Sequence, residues 1–258
     1  MATPASRIFV LYIDDEAVYG AATHPASAQV LDEVAARGVS GFLTLPDDVP
    51  QDKTLSLVLG ADKDESFLYP KMPVAFISTA ASACEQAKAL GLTDVQLTSD
   101  NDRESTTSRI HDLLKRRDDP KAKQLVFFHL TTSTPSHWIY AVLDKIVGTE
   151  AEASMDRCFV SILRTAQRPH TPPAAAAHPL RPRQSYERHD GKYPAATSAT
   201  SPRRLLLSSY HYDRTRRDLV TAFSEDLIQA NGAYSAMDAR IFMKELAFRL
   251  GFAPKYGA

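Results

Sequence analysis

IFVLYIDDE, residues 8–16, sets six apolar side chains in a row and then three acids. A run this short, with no polar alternation, predicts a strand buried on both faces, as in a parallel sheet covered by helices. It is too short to span a membrane and lacks the layout of a signal peptide. Its acids, Asp14, Asp15 and Glu16, fall at the strand's carboxyl end.

Working outward, the same pattern recurs. PASAQVLDEVAAR, 25–37, carries Val30, Leu31, Val34 and Ala35 at helical spacing, with Gly38 as a stop. Strands are expected at 39–45, 74–78, 95–97, 125–130 and 158–163. Helices are expected at 82–90, 105–117 and 139–147. Residues 55–59 fit either a strand or a helix start. The alternation predicts an α/β fold with a mainly parallel sheet and helices on both faces. Residues 1–166 form that core. Residues 167–204, rich in proline, alanine and basic side chains, lack apolar periodicity and read as a long surface loop. Residues 205–258 return to the same domain with a strand at 205–209 and helices at 218–228 and 237–250.

The 258-residue chain is 44% hydrophobic and 24% charged, a balance that suits a globular core. A formal charge of −1 gives no bulk footprint for nucleic acid or anionic lipid. The two cysteines, Cys84 and Cys158, have no metal spacing and read as packed apolar residues. With no signal peptide or membrane span in view, an intracellular place, cytoplasmic or nuclear, is expected. Dinucleotide, phosphate-loop and nucleophile-elbow signatures do not occur.

Open parallel sheets gather ligands beyond the carboxyl ends of their strands. Four places put polar groups there: 14–16, 78–79, 99–102 and 129–137. Asp14 and Asp15 suit a hard divalent cation, or simply a turn before a helix. His129 sits inside an apolar run, where a histidine is more often a satisfied core residue than a ligand. His137, at a helix start, is the better ligand candidate, although Thr134 and Ser136 also suit capping. In LRPRQSYERHDGK, 180–192, Arg181, Arg183 and Gln184 suit a phosphate, a carboxylate or a partner's acids, or a plain solvated loop. Arg181-Pro182-Arg183 is a poor version of a minor-groove arginine motif.

Read in order, FVLYIDD, THPASAQVLDEVAARGVSGFL (23–43) and LVFFHLTTSTPSHWIYAVLDKIV (125–147) resemble the alkaline phosphatase superfamily, nearest its cofactor-independent phosphoglycerate mutase branch. LRPRQSYERHDGK and ELAFRLGFAPKYGA are similar to segments of little-characterised eukaryotic proteins akin to plant AT-hook matrix-binding-like proteins, although no AT-hook occurs. The resemblance implies an alkaline-phosphatase-like core and a metal-binding aspartate in the Asp14-Asp15 pair, and the length of the chain leaves no room for the usual cap domain. It also shows where the pattern breaks. Aligned on His137, the family's D-x-x-G-H has Ser133 in place of its aspartate and Ser136 in place of its glycine. The family's Ser-Asp-His-Gly has Arg164-Thr165-Ala166-Gln167 instead, and an arginine there would repel a metal.

The leading expectation is therefore a non-catalytic member of this fold with no cofactor, acting as a binding module for a protein partner. The alternative is a phosphoesterase or mutase using zinc, manganese or magnesium. Asp14, Asp15 and His129 or His137 would hold the metal, and Arg183 a small phosphate ester. Nucleic-acid association is a third, disfavoured reading.

Overall fold

β1, Arg7–Ile13, is buried along its whole length. In the computed structural model it lies at the centre of an eight-stranded sheet. The structure describes residues 5–14, 28–46, 49–61, 66–115, 122–131, 134, 136–148, 158–166, 189–190, 193–194, 203–211 and 217–254.

The remaining elements are α1 (Gln29–Arg37), β2 (Val39–Thr44), α2 (Thr54–Val58), β3 (Val74–Ser78), α3 (Ala81–Ala89), β4 (Asp94–Leu97), α4 (Arg103–Leu114), β5 (Gln124–Leu130), α5 (Ile139–Val147), β6 (Cys158–Thr165), β7 (His189–Asp190), β8 (Tyr193–Pro194), β9 (Arg204–Tyr210), α6 (Glu225–Asn231), β10 (Ser235–Asp238) and α7 (Ala239–Leu250). The sheet order is β10-β2-β9-β6-β1-β5-β3-β4, and β7 and β8 form a separate ribbon. β1 runs parallel to β5 and β6, and β3 runs parallel to β5 and β4. β9 is antiparallel to both of its neighbours. The sheet is thus mixed and mostly parallel.

Two apolar layers cover it, sorted by strand alternation. Ile8, Val10 and Tyr12 pack with α2, α3 and α7. Phe9, Leu11 and Ile13 pack with α1, α4, α5 and α6. Truncating one central side chain, Leu11→Ala, is expected to cost about 2–5 kcal/mol by opening a void in a packed layer. Gly38 joins α1 to β2, and a Cβ there would collide with the Ser209 carbonyl oxygen of β9 and lie 2.7 Å from that of Val34. The stop residue is therefore glycine because backbone passes close by.

Residues 55–59 fall mostly in a helix, α2. The helix expected at 218–228 is instead a loop followed by α6. Asp218 is buried and accepts from the backbone N–H groups of Ser40 at 2.7 Å, Val220 and Ala233 at 3.1 Å. It ties the loop to β2, and Ser224 then caps α6. The expected helix at 237–250 starts later, because 235–238 pair with β2 as edge strand β10 and Asp238 caps α7. No helix among the described residues is long and apolar enough to cross a membrane.

Candidate functional site

Alternation places Tyr12 on one face of β1, and Asp14 follows two residues later, just past the strand's end. By the same count Ser78 ends β3, His129 falls near the end of β5 and Thr165 ends β6, all on the α2/α3/α7 side. The register confirms the neighbourhood: Tyr12 is opposite His129, and Ser78 is opposite His129 on the other flank. Three segments far apart in sequence thus deliver polar groups to one carboxyl-end row.

Their side chains form a relay. His129 Nε2 lies 3.1 Å from Asp14 Oδ2, and its Nδ1 lies 2.8 Å from Ser78 Oγ. Ser78 Oγ also accepts the Ala80 N–H at 3.0 Å. An ionised carboxylate only accepts, so in the neutral imidazole Nε2–H donates to Asp14 and Nδ1 accepts from the Ser78 hydroxyl. Every link then has one donor and one acceptor. The imidazole is 3% exposed and packs beside the rings of Tyr12, centroids 5.4 Å apart, and Phe76, at 6.3 Å. Asp14 is the solvent-facing end, at 19% exposure, and its second oxygen, Oδ1, has no partner among the described residues. Thr79 and Thr131 hydroxyls meet at 3.0 Å beside this row.

His137 is placed elsewhere. Its ring stacks on Trp138, centroids 5.2 Å apart, and meets Phe128 edge-on. Phe128 and Trp138 belong to the layer on the opposite face of the sheet from His129. Nδ1 accepts the Ile139 N–H at 3.2 Å, a first-turn donor of α5, and neither Thr134 nor Ser136 supplies a side-chain cap there. Burial holds its pKa below the ordinary value of 6.5, and the Asp100 carboxylate, 4.0 Å from Nε2, opposes this more weakly.

Asp15, Ser133, Arg181, Arg183 and Gln184 lie outside the described residues. Arg164, expected to face a metal position, shares its alternation with Cys158, Val160 and Ile162, which pack in the opposite layer from Asp14's row. Its charge is turned away by strand geometry. Thr165 takes the near face instead, and the sequence reading overlooked it. It is buried, its hydroxyl has no partner among the described residues, and it lines a recess with Tyr12, Thr54 and Arg203. The cavity volume is about 20 Å³, space for about one water. Arg203 donates to Thr54 Oγ1 at 3.3 Å and to the Val49 carbonyl at 3.0 Å. The neighbouring Arg204 turns to the other face, where it pairs with buried Glu225 at 2.6 Å.

Among the described residues these donors do not converge as a metal-ligating cluster. Divalent cations need several oxygen or nitrogen ligands converging on one point. Both ring nitrogens of His129 are engaged, and His137 serves the other face. Among the described residues no group of three or more His, Cys, Asp or Glu side chains converges. Asp14 Oδ1 and the Thr165 hydroxyl are left without partners among the described residues. Cys158 is packed in the core, where burial pushes its thiol up to about 12, and Cys84 is raised by burial as well, so both are poor nucleophiles.

No family model and no curated protein matches the chain. Among solved structures it is similar to the PH0037 protein from Pyrococcus horikoshii, at 12% identity and TM-score 0.50, covering 100% of both chains. It is also similar to the alkaline phosphatase from the Antarctic bacterium TAB5, at 10% identity and TM-score 0.45, covering 98% of this chain and 100% of that one. At 12% identity the first likeness is one of fold alone.

Proposed function

We propose that this chain is a non-catalytic member of the alkaline-phosphatase-like fold, lacking a cap domain, that works as a binding module. A protein partner would engage the carboxyl-end row and the basic segment 167–204, in an intracellular setting. One observation carries the reading: His129, the histidine nearest Asp14 among the described residues, spends both ring nitrogens inside the protein. A metal would have to displace either Asp14 or the buried Ser78 hydroxyl, and the group left behind would then need a new partner. The sequence departures at Ser133 and after Leu163 point the same way.

Elemental analysis of purified protein, before and after a chelator and alongside thermal melting, tests this. The expected result is no stoichiometric zinc, manganese or magnesium and an unchanged Tm. One or two bound equivalents with a Tm that falls on chelation would overturn it. For the partner surface, Arg181→Gln with Arg183→Gln should weaken partner capture at constant Tm. Unchanged capture would remove the basic segment from the account.

A second reading, a metal-dependent phosphoesterase, is favoured by Asp14 Oδ1, an unpartnered carboxylate oxygen at the strand end. It requires metal-dependent hydrolysis of phosphate esters that disappears in Asp14→Asn. No hydrolysis by the unaltered chain with any of the three metals would end it.

A further inference from the structure

A groove separate from the relay runs between α4 and α5. α4 packs on β5 and β1, and α5 packs on β6 and α1, so each helix is held mainly by elements other than its neighbour across the groove. Thr107, Ser108, Ala141 and Val142 present short side chains to the gap, and an open groove of about 590 Å³ remains. That falls within the usual size of small-molecule sites, about 300–1,000 Å³.

Its chemistry is one-sided. Arg103, Thr107, Ser108 and Lys145 line it, with Trp138 and Val142 as the apolar wall. Arg103 and Lys145 are exposed, and neither makes a hydrogen bond or ion pair with the described residues. Trp138 is 6% exposed, and its Nε1–H, which can only donate, is buried with no acceptor among the described residues. Glu104 is the one acid that lines it, against two cations.

We propose that the α4/α5 groove binds a small organic anion. The ligand's apolar ring would lie on the Trp138 and Val142 wall, and a carboxylate or phosphonate-type oxyanion would meet the exposed donors of Arg103 and Lys145. The site is on the opposite face of the sheet from the Asp14 row and does not depend on the reading given for that row.

Trp138 is the chain's single tryptophan, so its indole N–H gives one assignable resonance in ¹⁵N-labelled protein. Benzoate and phenylphosphonate are the probes, with benzamide as the neutral control. The expected result is a saturable indole shift with at least one of the anions and none with benzamide. The anion that binds tighter identifies the head group. Affinity should fall about tenfold or more in Arg103→Gln with Lys145→Gln, since a lost charged hydrogen bond is worth at least that. Both side chains are exposed, so that variant is expected to melt like the unaltered chain. Ser108→Glu, which adds an acid to the groove, should weaken binding too. Asp14→Asn should leave it unchanged, which separates this site from the relay. No saturable shift with either anion, equal binding of benzamide, or unaltered affinity in both groove variants would overturn the proposal.

Discussion

His129 and His137 are eight residues apart, yet they do opposite work on opposite faces of the sheet. His129 sits in a strand between two parallel neighbours, and those neighbours supply both of its partners. His137 sits where the chain has left the strand, and it serves its own backbone two residues on. A buried imidazole fixed by distant strands couples three segments of the fold. One that accepts a first-turn N–H of a helix stabilises a single turn. The lesson is that the strand order, more than the residue type, decides which histidine belongs to the site.

The contrast is sharpest in mutational cost. His129→Ala strands Asp14 Oδ2 and the Ser78 hydroxyl in a low-exposure row, and each orphaned group costs about 1–3 kcal/mol, so a loss of about 3 kcal/mol or more is expected. Denaturant melts would show it as a lower midpoint at unchanged slope. A loss below about 1 kcal/mol would mean that the relay is not closed as described. Ser78→Ala removes the hydroxyl between the Ala80 N–H and His129 and should cost about 1–2 kcal/mol. The same melts measure it, and a Ser78→Ala that is neutral alone and in a His129→Ala background would break the coupling.

His137→Ala should cost least, about 1 kcal/mol, the usual net value of one lost hydrogen bond. It also carries a pH signature. With its folded pKa held below 6.5 by burial, the unfolded chain takes up the proton first. The contribution of neutral His137 is therefore fully present above pH 6.5 and is lost as pH falls from there through the depressed folded value. His137→Ala should flatten that part of the stability profile. An unchanged profile would show that His137 does not titrate with folding.

Much of this was legible beforehand. The apolar runs at 8–13, 74–78, 125–130 and 158–163 needed only composition and length to read as buried strands, and they form β1, β3, β5 and most of β6. The unbroken apolar run around His129 also marks it as buried. Its partners were not legible, because Ser78 and Asp14 lie 51 and 115 residues away and meet it only through the order β1-β5-β3. Arg164 and Thr165 show the same limit. Which of the two faces Asp14 depends on register, and a shift of one residue would exchange them. β10 escaped notice because 235–238 run directly into α7, and Asp218 because a buried acid satisfied by three backbone N–H groups looks in sequence like a helix start.

The most direct measurement is the ring ¹⁵N spectrum of His129, assigned by its loss in His129→Gln and recorded before and after adding zinc. The account predicts the tautomer protonated at Nε2 and bonded to Asp14, with both ring resonances unmoved by the metal. A zinc-dependent shift of either nitrogen, saturating at stoichiometric metal, would contradict it and make His129 a ligand.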